Sequence, residues 1–202
     1  DYLVEGENKL AVEVYKRSSA SWIEDQDFWM FSGIFRDVYL YAVPKTHVED
    51  MRITSTLVDD YKNGNFQLNL KLAGEISGTV AVSLLDEKGN AVYAESAAAA
   101  EELTFRAKLE GVKPWSAEEP NLYQLTVTLT NDMGRVTEVS RTMVGFRQFE
   151  MIDKIMCLNG KRIVFHGVNR HEFDCDRGRV MTRELMLRDI RDMKSMNINA
   201  VR

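Results

Sequence analysis

Residues able to do chemistry gather in three places. Residues 21–32 set Glu24, Asp25 and Asp27 among Trp22, Phe28, Trp29 and Phe31. A carboxylate accepts strong hydrogen bonds from hydroxyls and offers hard oxygen to a hard cation, while flat rings supply apolar surface. Composition alone reads this stretch as a solvated acidic loop. His171 stands between Arg170 and Glu172, just past an apolar run. A neutral imidazole donates from one nitrogen and accepts at the other, so it suits an uncharged polar ligand, although a lone loop histidine is more often structural. Arg202 follows a second apolar run, where a guanidinium could orient carboxylates through paired hydrogen bonds; as the last residue it is expected to fray. His166 reads as a strand residue and His47 as a surface one. Cys157 and Cys175 have neither CxxC nor HxxxH company, and read as reduced small hydrophobes outside any zinc site.

The elements that must hold these groups fall into three regions. Residues 1–43 carry two runs with strand alternation, 8–15 and 36–43. Two strands do not make a stable domain, so these must lean on a larger sheet. After Pro44 come seven strand signals, near 47–58, 65–73, 78–86, 91–96, 102–110, 121–131 and 135–146. That is the count of an immunoglobulin-like sandwich, here without the Cys–Trp–Cys core of antibody domains. Leu68, Leu70 and Leu72 form one inward face, and Val80, Val82 and Leu84 another. Turns are expected at Lys62-Asn63-Gly64-Asn65, Glu87-Lys88-Gly89-Asn90 and Asn131-Asp132-Met133-Gly134, whose residues tolerate positive φ. The run 97–100 is too short and uncapped for a helix and reads as a strand edge or loop.

Residues 148–202 change period. Residues 161–168 read as one buried strand after the Asn159-Gly160 turn. Thr182 is the expected N-cap of a helix to about Asn197, with Glu184 in its first turn and an apolar stripe of Met186, Ile190 and Met193. Residues 198–201 form a second short strand. Strand, helix, strand is a βαβ unit and implies parallel pairing, the start of a larger α/β domain. Both ends lie in or close to strand-like runs, so the chain is expected to be an internal piece of a longer protein.

Several classes are disfavoured outright. The net charge of −5, with no basic block, argues against a nucleic-acid partner and suits a neutral or weakly polar substrate. No stretch approaches the ~20 apolar residues of a membrane-spanning helix.

One family resemblance runs nearly the whole length. Ser21-Trp22-Ile23-Glu24-Asp25-Gln26-Asp27-Phe28-Trp29-Met30-Phe31-Ser32-Gly33-Ile34-Phe35-Arg36-Asp37-Val38 closely resembles a loop of the glycoside hydrolase family 2 β-galactosidases. Lys113-Pro114-Trp115 through Leu122-Tyr123, Val144-Gly145-Phe146-Arg147, Leu158-Asn159-Gly160-Lys161, Gly167-Val168-Asn169-Arg170-His171-Glu172 and Asn197–Arg202 continue it in the same order. The β-glucuronidase relatives carry an Asn-Tyr-Ala-Gly-Ile version where this chain has Met30-Phe31-Ser32-Gly33-Ile34. The resemblance implies a mainly β architecture in three parts. These are the end of a jelly-roll sugar-binding domain (1–43), an immunoglobulin-like β-sandwich (44–147) and the first βαβ of a truncated TIM-barrel catalytic domain (148–202).

It also implies roles. Asp27 would contact galactosyl hydroxyls and help ligate sodium, with Phe28 and Trp29 beside it. His171 would hydrogen-bond the galactosyl ring past the first barrel strand, where barrel active sites are built, and Arg202 would lie at the pocket floor. The parent would be a retaining β-galactosidase, cytoplasmic and homo-oligomeric, using sodium and magnesium, with a β-galactoside as its substrate partner and neither nucleic acid nor membrane as one. Its acid/base glutamate would belong to an Asn-Glu pair, which these residues do not contain. The chain alone is therefore expected to be inactive, its sandwich an interdomain spacer. Two other readings are a β-glucuronidase or β-mannosidase parent, and a free-standing immunoglobulin-like scaffold with no catalytic role.

Overall fold

A computed structural model describes residues 2–24 and 31–202. The chain divides into two compact units, one of residues 41–164 and one of residues 1–40 together with 165–202. Among the described residues no helix is long and apolar enough to cross a membrane.

The 41–164 unit is a two-sheet sandwich, as the alternation predicts. One sheet has the order β1 (Thr46–Val58), β2 (Asn63–Gly74), β5 (Glu102–Leu109). The other runs β4 (Ala91–Ala98), β3 (Thr79–Leu85), β6 (Tyr123–Thr130), β7 (Val136–Val144), and every pairing in both is antiparallel. Phe66, Leu68, Leu70 and Leu72 of β2 face Val80, Val82 and Leu84 of β3 and Leu125, Val127 and Leu129 of β6 across one core. Every second residue along β6 is buried, the period of a sheet wet on one face. The Asn131 turn is built as expected: its side chain accepts from the Met133 and Arg135 amides at 3.0 Å each, and Gly134 takes φ 75°. Asp86 does the same for Lys88 and Asn90, with Gly89 at φ 81°.

The first turn differs from expectation. The chain reverses at 59–62, and Asn63 and Gly64 already pair with Val58 and Leu57 inside the sheet. Asp59, Asp60 and Tyr61 all hold left-handed φ, at 52°, 56° and 64°. Gly64 serves close approach instead of the turn: a Cβ there would lie 2.6 Å from a ring carbon of Phe146.

Three short strands extend this unit: β8 (Phe149–Ile152), β9 (Ile155–Leu158) and β10 (Lys161–Arg162), in the order β10-β9-β8. Asn159-Gly160 closes one hairpin with φ 51° and 74°, the two positive values a two-residue type I′ turn needs. Asn159 also fastens this small sheet to the sandwich. Its backbone and side chain exchange bonds with Gln148 at 2.8 and 3.0 Å, and its amide donates to the Trp115 carbonyl at 3.0 Å. Arg147 lies over the Trp115 ring at 4.9 Å.

Two sequence expectations fail for one reason. Residues 161–168 are not a single strand: Lys161–Arg162 pair antiparallel with β9, Gly167–Val168 pair parallel with Ala200–Val201, and residues 163–166 between them belong to no strand. Likewise 8–15 and 36–43 form no strand, and the one regular element in residues 2–24 is a short 3₁₀ turn at Ser19–Trp22. Alternating side chains suit a strand, but a strand exists only where a neighbour takes up its amides and carbonyls. Leu40 is accordingly 87% exposed.

Candidate functional site

In the unit of residues 1–40 and 165–202, a minimal parallel pair organises the candidate residues. β11 (Gly167–Val168) pairs in parallel with β12 (Ala200–Val201), and α1 (Arg183–Ser195) connects them. Thr182 caps α1 as its residue type predicts, its hydroxyl oxygen accepting from the Leu185 amide at 3.3 Å. The backbone amide of Glu184 itself, and then the Thr182 side chain, hold the Glu184 carboxyl below its ordinary pKa. At the far end Asn197 turns with φ 57°, and Ile198 donates to the Met193 carbonyl at 3.0 Å, delivering the chain to β12.

The pair is laced on both sides of its two-residue strands. His166 and Asn199 exchange two bonds, the His166 amide reaching Asn199 Oδ1 at 2.8 Å and the Asn199 amide reaching the His166 carbonyl at 3.1 Å. Beyond the strands, Arg202 donates to the Val168 carbonyl and Arg170 to the Arg202 carbonyl, both at 3.0 Å. Arg202 is thus tied on both backbone sides, not frayed. His171, exposed, leaves this ladder one residue after Arg170, so His171 and Arg202 belong to the C-terminal end of the same parallel pair.

The Arg170 side chain turns to the helix. Its guanidinium meets Asp189 at 2.8 and 2.9 Å and Glu172 at 3.7 Å, which ties the residue before His171 to α1. Glu172 also pairs with Arg36, across 136 positions of sequence. Around that pair, Phe31 stacks on Phe173 with centroids 6.2 Å apart, Arg179 covers the Phe35 ring at 4.9 Å, and a Cβ on Gly178 would sit 3.5 Å from Phe31. Residues 31–36 therefore rest on residues 172–179, the loop that follows His171.

Asp27, the third expected binding residue, lies outside the described residues, as do its neighbours 25–30. The structure puts His171 and Arg202 at one end of the same parallel pair, and residues 31–36 against the loop that follows His171. The partners of Glu172 and Phe31 are not legible in the motifs. Both residues stand in the family-like motifs, yet a contact across so many positions leaves no local period to read.

Asp174, Cys175 and Asp176 place ligand atoms within 4.8 Å of one another, the one such group among the described residues. A thiol is a poor ligand for sodium or magnesium. Asp174 Oδ1 already accepts from the Asp176 and Arg177 amides at 3.1 and 3.0 Å, an ordinary side-chain turn. This trio fits neither ion.

Known proteins supply the comparison. Models described as the sugar binding domain, the family as such and the TIM barrel domain of the glycosyl hydrolases family 2 match residues 1–44, 46–147 and 149–202 in turn. A β-galactosidase of Clostridium acetobutylicum is 58% identical over 203 residues, covering 100% of this chain and 23% of that protein. One from Halalkalibacterium halodurans is 50% identical over 204 residues, covering 100% of this chain and 20% of its own. This chain thus spans about a fifth to a quarter of the length of the curated relatives it matches. Among solved structures, the apo form of Bacteroides uniformis β-glucuronidase 3 superposes with TM-score 0.79 at 26% identity, over 87% of this chain and 22% of that one. Parabacteroides merdae β-glucuronidase does so with 0.79 at 25%, over 87% and 24%. Three consecutive models of one family account for all but two of the residues, one of them covering the whole seven-stranded sandwich, and the chain belongs to glycosyl hydrolase family 2.

Proposed function

We propose that this chain is part of a retaining β-galactosidase that hydrolyses terminal β-D-galactosides, to which it contributes substrate-binding groups and a structural spacer. The observation that carries this is the 58% identity to a β-galactosidase across the entire chain. In this reading His171 and Arg202 line the pocket from the ends of β11 and β12, where barrel enzymes build their sites. Asp27 accepts hydrogen bonds from sugar hydroxyls and offers an oxygen to sodium. The sandwich, residues 44–147, acts as the spacer.

The chemistry needs two carboxyl groups about 5–5.5 Å apart, one acid/base and one nucleophile. The 202 residues contain no Asn-Glu pair for the acid/base, and the family resemblance puts the nucleophile later still, so both are assigned to other parts of the longer protein. Cytoplasmic residence agrees with two unpaired cysteines, one of them exposed. Homo-oligomeric assembly and a need for magnesium rest on the family resemblance.

Two nitrophenyl glycosides, the β-galactoside and the β-glucuronide, test the reading on the full-length protein with the 202-residue chain beside it. Turnover of the galactoside by the full-length protein alone is expected. Preference for the glucuronide would favour the second reading, toward which the structural neighbours point, and would remove the galactosyl role of Asp27. Turnover of neither would return the scaffold reading.

A further inference from the structure

The two outward faces of the sandwich differ in kind. The sheet β1-β2-β5 turns charge to the solvent: Lys71 stands between Asp50 and Glu102, and Arg106 and Lys108 follow along β5. The sheet β4-β3-β6-β7 turns four cross-strand rows outward, each with one residue from every strand. Only one position in those rows, Arg141, is charged, in a chain where 28% of the residues are. Depletion of charge across a patch marks a surface that meets protein.

The same face is graded across its width. At one edge β7 presents Val136, Val139 and Met143, exposed by 59%, 47% and 54%. At the other edge β4 presents Ala94, Ser96 and Ala98, all exposed. The outward positions of the two middle strands are mostly serine, threonine and alanine. A face that is tall at one edge and low at the other fits a second copy of itself. A two-fold axis parallel to the strands, between β3 and β6, lays β7 of each copy over β4 of the other. Val139 then meets Ser96 of the second copy, Val136 meets Ala98, and Arg141 meets Ala94. The two Arg141 side chains stay three strand spacings apart, ~14 Å, so no like charges oppose each other. An unrelated partner would require no such match between one edge and the other. Four strands ~4.8 Å apart and four rows ~6.8 Å apart span about 500 Å² per copy, or about 1,000 Å² in total. That area is the floor for a specific association, so the dimer is a weak one.

We propose that the outward face of β4-β3-β6-β7 is a homodimer surface, pairing with a second copy of this chain about that axis. This gives the homo-oligomeric reading a location. It uses residues of the sandwich alone and none of the glycosidase chemistry, so its failure leaves the substrate reading untouched.

The test is sedimentation of the 202-residue chain between about 5 and about 300 µM, a range that brackets a weak dimer. The mean mass of the wild type is expected to climb toward twice the monomer mass. Thr128→Lys, a charge in the middle of the face, is expected to hold it at the monomer value with an unchanged far-UV spectrum. A wild type monomeric throughout, or Thr128→Lys associating as well as wild type, overturns the proposal. Cysteine substitutions decide the geometry without relying on that variant. In a C175S background, the positions of S96C and V139C lie at opposite edges of one sheet, too far apart for a disulfide within one chain. A bridge between them therefore joins two copies. Mild oxidation of S96C/V139C is expected to give a covalent dimer, and either single variant little of it. Single variants that crosslink as readily as the pair, or a pair that does not crosslink, overturn the proposed axis.

Discussion

Gly64 stands in β2 with the Phe146 ring and Val112 directly over the place a side chain would occupy, the nearest ring carbon 2.6 Å away. Phe146 is fully buried and edge-packed against Tyr123 at 5.3 Å, so it has little room to retreat. Gly64→Ala is expected to cost about 1–3 kcal/mol by overpacking, read as a lower urea midpoint. Tyr61 and Tyr93 carry a different kind of information. The hydrogen bond to Glu150 raises the Tyr61 hydroxyl above its usual 10.0, and burial, then Glu95, pushes Tyr93 well above it. Each group binds its proton more tightly folded than unfolded, so its contribution is complete below pH 10 and declines as pH rises through the raised values. Melting between pH 9 and 11 should show an alkaline loss of stability that is smaller in Tyr61→Phe and Tyr93→Phe. An unchanged loss in both would mean that other groups dominate. Tyr61 is not legible in the sequence because the glutamate that raises it lies 89 positions away, and Tyr93 because its largest cause is burial in the folded sandwich, although Glu95 is only two residues on.

At the scale of elements, sequence alternation read the sandwich well. All seven strands formed within a few residues of their expected bounds, since each has a partner on at least one side and a face toward one core. The same alternation in 8–15 and 36–43 produced no strand, because pattern records which face would be buried but not whether a neighbour exists. The helix was legible for a local reason, its Thr182 cap and Glu184 lying within one turn. Its apolar stripe is another matter: α1 contains no buried residue, and Ile190 is 49% exposed. Amides of 183–195 are expected to exchange with solvent much faster than those of β6, and protection equal to β6 in a demonstrated monomer would contradict this. Thr182→Ala should remove about 1 kcal/mol of helix stability, read as roughly fivefold faster exchange in the first turn. For the candidate site, motif resemblance singled out His171 and Arg202, and the parallel bridges put both at one strand end. The contact between residues 31–36 and 172–179 is beyond any local pattern.

For the molecule as a whole, every buried hydrophobic side chain among the described residues lies between Leu57 and Cys157. A chain of residues 41–164 alone is therefore expected to melt within about 3 °C of the 202-residue chain. A fall several times larger would show that the flanking residues carry part of the stability. Three of the sandwich pairings, β1 with β2, β3 with β4 and β6 with β7, are hairpins between consecutive strands. On the ribosome, where a nascent chain emerges at ~5–20 residues per second, such hairpins close as soon as their second strand is clear. The sandwich would stand complete once β7 has emerged, before α1 is synthesised. A long protein assembled from consecutive segments would in this way bury the apolar faces of its sandwich early, before the slower parallel pairing of β11 and β12 can form.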